Sequence, residues 1–162
     1  MSRRSGYSAL QIGLHWLVAV LIFAAYFASD GMGDALRDRV ERGASGIEGN
    51  TLHVWLGGTV LALVLVRIAV RLARGAPGPA EGTSAALAAA ATWGHRLIYV
   101  LMVMVPLGGA VAWYGGIRDV GEVLAVAGNL LMLVVVGHVL VAILHEAVAR
   151  DGTMRRMLRP EA

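Results

Sequence analysis

Hydrophobic residues in this chain fall into four long runs, at about 9–28, 52–73, 86–114 and 120–149. Each reaches or exceeds the roughly 20 residues that a helix needs to cross the hydrocarbon core of a bilayer. The runs are continuous and do not alternate with period two, so they predict helices and not strands. The connections are different in kind. Ser29 to Asn50 carries Asp30, Asp34, Arg37, Asp38, Arg39, Glu41, Arg42 and Glu48, and GAPGPAEG at 75–82 is a turn-rich loop. A short third connection holds Arg118, Asp119 and Glu122. The pattern predicts an all-α integral membrane four-helix bundle, forming one unit over 1–162. Pro106 falls inside the third run and is expected to kink it. The first run lacks a small-x-small cleavage site and reads as a span, not a signal peptide.

Composition agrees with this reading. The chain has 162 residues, 57% of them hydrophobic, too apolar for an ordinary soluble domain. All 14 basic residues are arginine. Arg3 and Arg4, Arg71 with Arg74 and Arg96, and Arg150, Arg155, Arg156 and Arg159 border three regions that the positive-inside rule places in the cytoplasm. Both termini are then cytoplasmic, as an even number of spans requires. No soluble basic face is present, so nucleic acid is not an expected partner. Cysteine is absent, which excludes disulfides, thiolate catalysis, Cys-ligated iron–sulfur clusters and covalent haem attachment.

Candidate chemistry lies with the five histidines. His15 and His138 sit inside the first and fourth runs, where ionisable side chains are rare and usually functional. At about 1.5 Å per residue both fall in the cytoplasmic half of their spans. They can reach one iron from opposite faces of a porphyrin, because imidazole is a common axial ligand of haem iron. His53 lies at the outer end of the second span. His95 and His145 lie at the inner ends of the third and fourth. Gly57, Gly58, Gly128 and Gly137 are small enough to let a flat cofactor or a neighbouring helix approach closely. Anionic haem propionates need cationic partners, for which Arg67, Arg71 and Arg74 are candidates. His95, Tyr99 and His145 are candidates for donating to a quinone head group. Tyr99 and Trp16 are equally readable as packing or interfacial residues.

Several segments together resemble the bacterial cytochrome b561 family, four-helix membrane proteins that bind b-type haem. They are Tyr7-Ser8 through Gln11-Ile12 with Leu14-His15-Trp16; Leu52-His53 with Gly57, then Arg67 and Arg71; Gly94-His95 with Ile98-Tyr99; and His138, His145, Arg150-Asp151-Gly152, Arg155 to Leu158 and Pro160. The resemblance covers nearly the whole chain. It implies an inner haem on His15 and His138, and an outer haem on His53 and a histidine fourteen residues before His138. That position is Leu124. Three outcomes follow: no outer haem, an outer haem on His53 alone, or a replacement ligand such as Met104. The resemblance further implies a bacterial inner-membrane protein that exchanges electrons with ubiquinone or another membrane quinone. At least one member is a superoxide oxidase. The alternative is a membrane-anchor cytochrome b subunit of a larger redox enzyme, with a partner protein.

Overall fold

The computed structural model describes residues 6–78, 83–149, 152 and 154–160, with only the backbone described at His145 and Ala149. Among these residues the chain is wholly helical. Four long helices match the four apolar runs: α1 (Ala9–Phe27), α3 (Leu52–Arg74), α4 (Ala85–Gly115) and α5 (Arg118–Leu144), the last continuing into a π-helical turn, His145–Ala149. A short α2 (Met32–Glu41) interrupts the first connection. The pattern of apolar runs does not predict it. α4 runs unbroken through Pro106.

Hydroxyl side chains start three of the spans. Ser8, Thr51 and Ser84 accept from the backbone N–H three residues on, at Gln11, Val54 and Leu87. Each satisfies a donor that the first helical turn leaves free. At Ser8 the Gln11 side chain reciprocates, completing a capping box. Gly116 ends α4 with φ +66°, a left-handed conformation that favours glycine.

α1 packs on α3, α3 on α4 and α4 on α5, while the α1–α5 seam that closes the ring is the most open. The core is a column of Val18, Ile22, Val60, Val64, Met102, Leu131 and Val135. Each helix contributes a stripe at helical spacing, and each stripe runs on toward the end where both termini emerge. There α1 carries His15 and Gln11 on its stripe, α3 carries Arg67 and Arg71, α4 carries Tyr99 and His95, and α5 carries His138. A dry column thus ends in one polar layer. The outward faces remain apolar and unpacked: Leu72, Val126 and Leu133 are among many exposed aliphatic residues. In water this would be unstable; against lipid it is the expected outer surface.

At the opposite end α2 lies across the bundle. Leu36 is buried with Ala112 and Trp113, against Val54 and Val120. Arg39 is 6% exposed. Its guanidinium donates to the carbonyls of Trp113 (3.1 Å), Gly46 (2.8 Å) and Glu48, and lies 5.0 Å from the Trp113 ring and 5.8 Å from that of Tyr114. Asn50 joins the same cage, accepting from the Trp113 indole and donating to the Tyr114 hydroxyl.

Candidate functional site

The polar layer brings together most of the residues singled out above. His15 and His138 face each other across the open α1–α5 seam with ring centroids 6.5 Å apart and planes at 70°. Two metal–imidazole bonds of about 2.0–2.1 Å and the half-widths of two rings add to about 6 Å, so one metal ion fits between them. His95 lies beside His138, with ring centroids 5.1 Å apart and planes at 76°, which makes it a neighbour of the pair. Its Nδ1–H donates to the Ala91 carbonyl four residues back, at 2.6 Å, which leaves Nε2 as an acceptor.

Space for a flat group exists beside the pair. Gly94 and Gly137, each preceding one of these histidines, are half-buried, yet a Cβ added at either would meet no atom within 4 Å. Cations stand close by. Arg67 is half-buried and donates from all three guanidinium nitrogens: to the Tyr99 hydroxyl, to the Gln11 carbonyl and to His15 Nδ1, each at 3.1 Å. Arg71 lies over the Tyr99 ring at 5.9 Å. Tyr7, Gln11, Arg67, Arg71 and Tyr99 line one cavity at this end, and among the described residues no carboxylate borders it. Among the described residues, neither arginine has an acidic partner. Arg74 is exposed. The donor set, two imidazoles with two cations close by, fits a planar dianionic cofactor.

The His145 side chain lies outside what is described. Sequence reasoning assigned no role to Gln11 beyond its place in a motif. It is buried, ties the α1 start to the end of α3 through Gly75 O at 2.9 Å, and is readable as a capping residue from Ser8-x-x-Gln11. The Trp16 indole donates to Met157 O at 2.8 Å, docking the C-terminal turn on α1 beside His15. Nothing in the sequence pattern announces that pairing.

The other half of the bundle is different. His53 Nδ1–H donates to Ala25 O at 2.8 Å, so its ring is oriented by α1. Opposite, Leu124 fills a notch at Gly108 and Gly109; a Cβ on Gly108 would stand 2.9 Å from Leu124 Cδ1. α4 and α5 are in close contact there. Met104 is 61% exposed on the outer surface of α4.

Such an arrangement defines a class: a multi-pass membrane bundle with three imidazoles and two arginines gathered in one half. The sequence model of the prokaryotic cytochrome b561 family matches residues 6–160, and the chain belongs to that family of b-type membrane cytochromes. It is 37% identical over 163 residues to cytochrome b562 of Cereibacter sphaeroides, covering 99% of both chains. It is 28% identical over 173 residues to the probable superoxide oxidase CybB of Yersinia pestis, covering 94% of this chain and 95% of that one.

Proposed function

We propose that this chain is a single-haem electron carrier of the bacterial inner membrane, working at its cytoplasmic side in exchange with membrane quinone. The observation that carries this reading is the His15–His138 pair, 6.5 Å apart across the open seam. Bound there, haem b supplies a one-electron couple. His15 and His138 would be its two ligands, and a haem so held favours electron transfer over oxygen binding. Arg67 and Arg71 line the adjoining cavity and would hold the propionates.

Quinone chemistry needs a donor for a carbonyl and an acceptor for a hydroxyl. The Tyr99 oxygen accepts from Arg67 and keeps its own O–H for a quinone carbonyl. His95 Nε2 is left as an acceptor by the Ala91 bond and suits a quinol hydroxyl. The expected result of oxidation at this site is a proton passed to His95 Nε2 as the electron leaves. His145, in the π-helical turn that follows α5, is the third candidate.

An outer haem is not part of this reading. Leu124 in the Gly108 notch leaves His53 with no facing ligand, and the apolar outer half separates the inner site from the far surface. Superoxide oxidation, the activity in the name of the Yersinia pestis relative, would need electrons to cross that half. One site at one end also requires a partner on that side. This favours, as a second reading, a role as the membrane-anchor cytochrome of a larger redox enzyme, which co-purification of a partner protein tests.

The deciding experiment is haem b per polypeptide by pyridine haemochrome on the purified protein. The expected ratio is near one, abolished by His15→Ala or His138→Ala and unmoved by His53→Ala. A ratio near two that His53→Ala halves overturns the single-haem reading, and absence of haem overturns the function.

A further inference from the structure

The hydrogen bonds around His15 are those of a histidine that is not ready to ligate. A guanidinium can only donate, so the 3.1 Å contact from Arg67 makes His15 Nδ1 an acceptor. A neutral imidazole with Nδ1 as acceptor carries its proton on Nε2, the nitrogen that must be bare to bind a metal from this position. Ligating histidines show the opposite pattern, with one ring N–H donated to a carbonyl or carboxylate and the other nitrogen on the metal. His53 and His95 both have that pattern, through Ala25 O and Ala91 O.

The partner that His15 lacks is present and taken. Ala91 stands four residues before His95. The matching residue before His15 is Gln11, and its carbonyl is held by the same Arg67, through the other terminal nitrogen at 3.1 Å. Arg67 is thus wedged between the two groups that would otherwise pair. If it withdraws, Gln11 O and His15 Nδ1 are freed together, and His15 can adopt the bond that His95 already makes. A proton leaves Nε2 and one arrives at Nδ1, with no net gain. What would draw Arg67 away is a carboxylate in the adjoining cavity, where Arg71 is the second cation and no acid among the described residues competes.

We propose that Arg67 guards His15, holding it in the non-ligating tautomer until an anionic propionate entering the Tyr7–Arg71 cavity takes the guanidinium. Arg67 is then a positioning residue that couples recognition of the cofactor's charged edge to readiness of its iron ligand. This rests on the function proposed above, but its first test does not.

That test is nitrogen NMR of the haem-free protein in lipid nanodiscs, with 15N-labelled histidine and His15 assigned by loss of its signal in His15→Gln. The expected tautomer of His15 is Nε2–H, changing to Nδ1–H in Arg67→Leu. The second test titrates haem and haem dimethyl ester, which lacks the propionate charges, into the same proteins. The native chain should favour haem over the ester by about tenfold or more, the scale of one hydrogen bond to a charged group. Arg67→Leu should lose that preference and bind the ester more tightly than the native chain does. Tyr99→Phe removes one acceptor of Arg67 and should move both readouts the same way by less, which keeps the test usable if Arg67→Leu misfolds. An Nδ1–H tautomer in the native chain, or an Arg67→Leu protein that weakens both ligands equally, overturns the proposal. If no variant binds haem while the tautomer switches as expected, the proposed function fails and the Arg67–His15 relation stands.

Discussion

Arg39→Met is the sharpest perturbation the outer end offers. The substitution keeps the length and apolar stem of the side chain and removes the guanidinium. Of the three carbonyls it leaves, Gly46 and Glu48 belong to exposed residues and regain water. The third belongs to Trp113, which is 4% exposed, and stays dry. One buried acceptor left unpaired costs about 1–3 kcal/mol. The cation also leaves the faces of two rings, Trp113 at 5.0 Å and Tyr114 at 5.8 Å, which costs roughly 0.5–1 kcal/mol for each. The outer cap should therefore open more easily by about 2–5 kcal/mol, which is about thirtyfold or more in an opening equilibrium. Hydrogen–deuterium exchange by mass spectrometry reads this on peptides spanning 42–51. Exchange there should accelerate by that factor while peptides over 60–71 and 131–138 stay unchanged. Arg39→Lys should restore only part, because an ammonium cannot match the fork that meets three carbonyls. Exchange in 42–51 within threefold of the native rate would refute the claim that Arg39 holds the cap.

Gly108→Ala should destabilise the protein in detergent by about 1–3 kcal/mol, since the new methyl overpacks against Leu124; in a Leu124→Ala background the same change should cost much less, and additive costs would show that the notch is not the cause. Trp16→Phe removes the donor to Met157 O and should make cleavage by trypsin at Arg155 and Arg156 about fivefold faster, on the scale of one hydrogen bond; an unchanged rate refutes docking of the tail through Trp16. Tyr26→Phe breaks the 2.9 Å bond to Asn129 that links α1 to α5 in the outer half, and a loss of about 0.6–2 kcal/mol is expected in lipid, with Asn129→Ala adding nothing further to it. If the two losses add, the two side chains do not act as a pair.

The four spans are legible because lipid demands long uninterrupted apolar runs, a signal that tertiary context cannot disguise. His15 and His138 are legible for the same reason, as titratable groups where few are tolerated. α2 is not legible in this way, although Met32, Leu36 and Val40 recur at helical spacing. The segment is short, charged and bounded by glycine, and its helix depends on burying Leu36 against Ala112 and Trp113 on a distant part of the chain. The charge count in that connection reads as a solvated loop. Nothing local shows that one of its arginines is buried among carbonyls. Leu124 is legible as standing where the resemblance implies a histidine, but its seating against Gly108 is a property of two helices together. Arg67 is readable as a cation near the site. Its hold on His15 and Gln11 at once needs two helices, α1 and α3, in register.

The open seam between α1 and α5 also has a meaning in time. Every other neighbour in the ring is joined by a single connection, so those pairs can form as each span leaves the ribosome. α1 must wait for α5. His15 enters the membrane with the first of the four spans and His138 with the last, so the two histidines meet only once α5 is in place. Without α5 the column loses Leu131, Val135 and the extensive α4–α5 packing, and His15 has no His138 opposite it. Any cofactor seated on that pair would therefore report that the last of these spans has been inserted.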